Sequence, residues 1–194
     1  MATFLGFNYV TPLKITPEER VFRSNTLSLR VQTSESTASR WRILVGLEPI
    51  VGGTGAARIQ THRAVNGVHS SFAMEMPQHT GTEVTSTSPV NVATANSGSS
   101  TVSLSSLATF TIPAGRFVRF SNHTKVYQIV ETVTSSGGAV TATVYPELVD
   151  NISAGVTLSL SPDVTVRYSE EGNTSLMVRD GFVVQTTMDV TEAL

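Results

Sequence analysis

Pro113-Ala-Gly-Arg-Phe-Val-Arg-Phe120 is followed by Ser121-Asn-His-Thr124, Lys125-Val-Tyr-Gln-Ile-Val-Glu-Thr-Val133, Ser135-Ser-Gly-Gly138, Ala139-Val-Thr-Ala-Thr-Val-Tyr145-Pro-Glu-Leu148 and Gly155-Val-Thr-Leu-Ser-Leu160. Short β-branched and aromatic runs alternate with turn formers, so the stretch reads as about five strands. Arg116–Phe120 and Lys125–Val133 make two strands joined by the Ser-Asn-His-Thr turn. Ser135–Gly138 makes a hairpin turn, since glycine tolerates the positive φ such turns demand. Short strands with tight turns suit a small closed barrel, because closure removes exposed edges.

Upstream, Leu27, Leu29 and Val31 alternate with Thr26, Ser28 and Arg30, which predicts a strand over Asn25–Gln32. Ser34–Ser39 reads as a polar turn. Trp41, Ile43, Val45 and Leu47 then share one face of a second strand, stopped by Pro49. Gly52-Gly-Thr-Gly55 lacks phosphate-loop spacing and a following lysine. It reads as a turn in which Thr54 caps a short helix near 56–66, closed by Gly67. His69–Pro77 is a strand with Phe72, Met74 and Met76 on one side. The Ser/Thr-rich Thr80–Thr109 is long for a structureless loop, so some strand pairing is expected there. Val164–Tyr168 alternates. Leu176–Arg179 and Phe182–Val190 flank Asp180-Gly181, a hairpin signal.

Residues 1–20 read as an extended arm, because Pro12 and Pro17 discourage regular structure. Phe4, Phe7 and Tyr9 are its apolar anchors, to be laid on its own domain or on a neighbouring subunit. The fold read from these elements is mainly β. A β-sandwich-like sheet domain with one short helix is built from 1–90 and 164–194, and a small β-barrel is inserted over 91–163.

The chain has 194 residues, enough to bury a core without disulfide or metal. Net charge is −2 and the basic residues are scattered, so no electrostatic nucleic-acid footprint is present. No apolar run approaches the ~20 residues of a membrane-spanning helix, and the N-terminus lacks a basic leader. The absence of cysteine removes disulfide frameworks and thiol chemistry. Asn122-His-Thr, Asn151-Ile-Ser and Asn173-Thr-Ser match the glycosylation pattern but read as chance in so Ser/Thr-rich a chain.

Candidate chemistry is sparse. His62, His69, Glu75 and His79 are a conceivable metal set, yet their spacing fits surface or packing roles better. His123 lies in the predicted turn, beside Asn122 and Lys125; His123 and Lys125 are candidate partner contacts, with turn stabilisation the plainer reading for His123. Arg40-Trp41-Arg42 could stack a base or sugar but reads first as core packing. The pairs Glu18-Glu19 and Glu170-Glu171 read as solvated turn residues. No nucleophile elbow or cofactor pattern occurs, and the reading is of a non-enzyme without cofactor. An exposed set drawn from Phe117, Phe120, Tyr127 and Tyr145 would instead serve a receptor- or carbohydrate-binding module. Alternation keeps Phe117 and Phe120 on opposite faces.

Four segments in order resemble the distal-tail or baseplate-hub structural proteins of tailed bacteriophages. They are Arg40-Trp-Arg-Ile-Leu-Val-Gly-Leu-Glu-Pro49, Gly67-Val-His-Ser-Ser-Phe-Ala-Met-Glu-Met-Pro77, Ala114-Gly-Arg-Phe-Val-Arg-Phe-Ser-Asn-His-Thr-Lys-Val-Tyr-Gln-Ile129, and Val144-Tyr-Pro-Glu-Leu148 with Ala154-Gly155. Arg116 and Val149 depart from the pattern, where an acidic and a basic residue are usual. The resemblance implies a virion structural protein of the phage tail without a catalytic site, assembled in the host cytoplasm. It implies a ring of identical subunits, hexameric by tail symmetry, joining the tail tube to hub or fibre proteins. Phe4, Phe7, Tyr9, His123 and Lys125 are the residues expected at its interfaces, with no nucleic-acid recognition and no membrane insertion.

Overall fold

The structure is a computed structural model that describes residues 3–25, 31–50, 53–77, 90–105, 109–169, 175–179 and 182–194. In chain order the elements are β1 (Thr3–Phe4), β2 (Phe7–Asn25), β3 (Val31–Leu47), α1 (Gly53–Asn66), β4 (Phe72–Glu75), β5 (Val90–Val92), β6 (Thr101–Ser105) and β7 (Thr109–Ile112). They continue with β8 (Phe117–Phe120), β9 (Val126–Ile129), β10 (Val133–Ser136), β11 (Val140–Tyr145), β12 (Val156–Ser159), β13 (Asp163–Tyr168), β14 (Ser175–Arg179) and β15 (Phe182–Glu192). The fold is mainly β. It divides into a unit of residues 1–18, 40–77 and 163–194 and a second of 19–39 and 78–162.

The first unit is a sheet in the order β1-β2-β3-β15-β13-β4, with β14 on β15. Alternation along β3 buries Trp41, Ile43, Val45 and Leu47, none more than 3% exposed. In β15, Met188 and Val190 face the same core, set by the register Val190↔Ile43 and Met188↔Val45. Full burial of each such side chain stabilises by about 1.5–3 kcal/mol. The sandwich-like character comes from one sheet curling until its two ends meet. The Phe4 and Phe72 rings lie 5.7 Å apart, and the Tyr9 hydroxyl donates to the Glu75 carbonyl at 3.0 Å. Helix α1 inserts Ile59, fully buried, and turns His62 toward the Phe4 and Phe72 rings. Gly67 ends the helix at φ +50, its N–H donating to the Arg63 carbonyl at 2.8 Å.

The second unit contains a closed barrel, ordered β11-β6-β5-β12-β8-β9. Its interior holds Val102, Leu104, Val118, Phe120, Tyr127, Ile129, Ala142, Val144 and Leu158. A separate ribbon of β7 and β10 adds Phe110, Ile112 and Val133 to the same core. Arg116 donates through Nε to the Leu160 carbonyl at 2.8 Å and through Nη2 to Ser161 Oγ at 3.1 Å. A guanidinium therefore ties the start of β8 to the end of β12, where the resembled pattern has an acid.

Several local expectations are corrected. Residues 1–20 are not an arm without regular structure, because β1 and most of β2 lie there. Pro17 is tolerated because it shares the outward parity of Phe7, on the edge of β2 beyond the end of β1. Ser34–Ser39 is not a turn but part of β3, its Ser and Thr residues fitting a strand once a partner is present. The strand expected over Asn25–Gln32 is not one element: Asn25 ends β2, Val31 begins β3, and residues 26–30 lie outside the described residues. Helix α1 begins at Gly53, so Thr54 lies inside its first turn. The strand expected over Lys125–Val133 breaks after Ile129, and β10 pairs with β7 and not with β11. Gly137 does take the positive φ of a turn, +99, with Ser135 Oγ accepting from the Gly137 and Gly138 N–H groups. Asp180 and Gly181 lie outside the described residues, although Arg179 and Phe182 do pair across them.

Candidate interaction surface

On its outer face the first unit's sheet carries charge. Arg42, one step from the buried Trp41, grips Asp189 of β15 with Nε to Oδ1 at 3.0 Å and Nη2 to Oδ2 at 2.6 Å. Glu18 of β2 accepts from Arg40 Nε at 3.2 Å and lies 3.8 Å from Arg42 Nη1. Glu18, Arg42 and Asp189, with Lys14, Thr16 and Leu44, line a groove of about 420 Å³. Two cations meet two carboxylates there, and Lys14 makes no ion pair among the described residues. The Arg40-Trp41-Arg42 triplet is thus a buried ring flanked by two ion-paired arginines, and presents no aromatic stacking face. Glu18 is a paired strand residue and not a turn acid. Glu19 accepts from the Tyr145 hydroxyl within the second unit. Glu170 and Glu171 lie outside the described residues.

The N-terminal residues fall in different surroundings. Phe4 is 4% exposed and packs against the His62 and Phe72 rings, so it belongs to its own core and is not offered to a neighbour. Phe7 is half-buried with the Arg58 guanidinium 5.8 Å over its ring. Tyr9 is half-buried; burial, with Glu75 and Asp163 nearby, pushes its phenol well above the usual range. His62 Nδ1 lies 3.1 Å from the Tyr168 hydroxyl. Burial pushes the Tyr168 phenol up to about 12 and holds the His62 imidazole below its ordinary value. The ring and the phenol are both neutral and share one hydrogen bond. His69 is exposed, and His79 lies outside the described residues. Among the described residues no group of three or more His, Asp or Glu is placed to hold a metal.

In the second unit, the β8–β9 turn carries a chain of hydrogen bonds. Val149 N–H donates to the Tyr127 hydroxyl at 3.2 Å, and that hydroxyl lies 2.8 Å from His123 Nε2. His123 Nδ1 is 2.8 Å from Asn122 Oδ1, while Asn122 Nδ2 donates to the Asn151 carbonyl at 3.0 Å. The one consistent direction has Tyr127 donating to Nε2 and Nδ1–H donating to Asn122. Burial holds the His123 imidazole below its ordinary value, reinforced by Arg119 and Lys125 and opposed by Asp150. His123 stabilises a turn here. Lys125 is 1% exposed and its Nζ donates to the Ser39 carbonyl at 2.8 Å, so it is an internal anchor and not a surface contact.

The aromatic set considered for glycan binding is buried: Phe117 at 2%, Phe120 at 0% and Tyr127 at 0% exposure, with Tyr145 half-buried. Phe117 faces away from the barrel core, as alternation requires, and is covered all the same. Sequence reasoning missed Glu192, 1% exposed, whose Oε2 accepts the Trp41 N–H at 3.2 Å. Its even spacing from the inward Met188 and Val190 was the available signal.

No protein-family model matches the chain, and no curated protein matches it.

Proposed function

We propose that this chain is a structural subunit of a bacteriophage tail. It forms a ring of identical copies in the distal tail or baseplate hub and joins the tail tube to hub or fibre proteins. It is assembled in the host cytoplasm and acts in the virion. The order of the four tail-protein-like segments supports this reading.

The observation that carries it is the one-sided pairing of β2. Strand β1 covers only Phe7 and Asn8, and among the described residues no strand pairs with the outer edge of β2 from Val10 to Pro17. A row of unpaired backbone groups is a ready template for another chain. Pro17, with the outward parity of Phe7, removes a donor from that edge, which obstructs open-ended sheet growth. A surface that admits a neighbour yet resists indefinite extension suits a ring that closes.

The test is to locate this chain in electron micrographs of the tail particle and to follow the purified chain by sedimentation, alone and with its tail partners. Density for a ring of copies at the tube-to-hub junction is expected. A chain that stays monomeric at high concentration, unchanged by tail partners, overturns the reading.

A further inference from the structure

The turn between β1 and β2 places Leu5 at φ +51 and Gly6 at φ +82. A two-residue turn with positive φ at both positions is the type that Asn-Gly serves best. Leucine has no side-chain hydrogen bond to offset that backbone, and among the described residues Leu5 is the one non-glycine residue with positive φ. Burial does not account for it, because Leu5 is only half-buried. A residue held in a sparsely populated conformation directs attention to what it displays.

Leu5 lines a groove of about 490 Å³ along α1, with Ala57, Arg58, His62, Val65 and Asn66. Val65 is 72% exposed, the most exposed large hydrophobic among the described residues. The helix bears Arg58, His62 and Arg63 and no carboxylate. Arg58 contacts the Phe7 ring and makes no ion pair among the described residues. An apolar wall beside charge of one sign fits an apolar side chain next to a carboxylate.

The same chain displays such a pair. At the corner after β9, Val130 is 49% exposed and Glu131 is exposed. The corner is fixed by the Val130 N–H donating to the Thr143 carbonyl at 2.9 Å. We propose that the Val130–Glu131 corner of one copy docks in the Leu5–Val65 groove of the next, Val130 against Leu5 and Val65, and Glu131 against Arg58. This inference rests on the ring reading. Groove and corner are different patches, so the contact is head-to-tail, the kind that generates rings when the rotation closes.

The chain has no cysteine, so single cysteines report cleanly. Val65→Cys and Val130→Cys, both at exposed positions, are prepared separately, mixed, and treated with a short bis-maleimide. The expected product is the mixed Val65→Cys/Val130→Cys dimer. Arg58→Glu added to the first chain, or Glu131→Arg added to the second, should cut its yield at least about tenfold, and the two together should restore it. Trp41 fluorescence checks that each variant is folded. Cross-linking of Val65→Cys chains to one another would mean a two-fold contact and overturn the proposal. So would a mixed yield no higher than that of Val10→Cys with Val130→Cys. Either result leaves the ring reading standing on the micrographs, and a chain absent from the tail sinks the ring reading whatever the cross-links show.

Discussion

Tyr127 is fully buried, and its hydroxyl accepts from the Val149 N–H while donating to His123. Tyr127→Phe leaves both partners unmatched and should lower stability by about 1–3 kcal/mol, read as a lower urea midpoint. Two histidines fix a pH dependence. His62 and His123 are both held below their ordinary value, so the unfolded chain binds more protons than the folded one. Their contribution is complete above the unfolded value near 6.5 and is lost as pH falls through the lower folded values. The urea midpoint should therefore drop between pH 7.5 and 5.5, and His62→Gln and His123→Gln should each shrink that drop; an unchanged drop in both variants would refute the assignment. At this scale the sequence showed which residues could do chemistry but not their company. His123 was legible as a turn residue. Lys125 was not legible as an internal anchor, because its acceptor Ser39 lies 86 positions away.

Among elements, the second half of β3 was the most legible, since Trp41, Ile43, Val45 and Leu47 announce a buried face by period alone. Strand β2 was hidden by its prolines, whose cost depends on whether a neighbour needs the missing donor, and that is a property of the sheet. Strand β10 was misassigned because Val126–Val133, rich in β-formers, carries no Gly or Pro to mark the break after Ile129. Two predictions belong here. Leu5→Asn should relieve the left-handed strain and raise the melting temperature of the isolated chain, a gain of roughly 1 kcal/mol, while weakening the proposed intersubunit cross-link. Phe4→Ala should cost about 3–5 kcal/mol, because the ring is buried against His62 and Phe72. Deleting residues 1–12 should destabilise the first unit for the same reason, seen as an early loss of Trp41 fluorescence on denaturation. A truncated chain as stable as the parent would return these residues to the role of an arm.

Across the whole molecule, the two units have separate sets of buried side chains, one around Trp41 and Ile43 and one around Phe120 and Tyr127. Two cores in one chain favour departure from two-state unfolding. Calorimetry should give a calorimetric enthalpy larger than the van't Hoff enthalpy, and a ratio of one would show a single cooperative block.

The mainly-β class, the inward faces of β4 and of β3 from Trp41 to Leu47, and the turn glycines were determined by sequence alone, because period and backbone permissiveness are local properties. Tertiary structure decided where each strand's hydrogen bonds go. Pairing joins residues far apart in the chain, so it set β2 as an edge, sent β10 to β7, closed the barrel through β5 and β6, and buried Phe4, Phe117 and Lys125. The stretch Pro113–Leu160 supplies strands to that barrel, but the partners that close it come from outside the stretch.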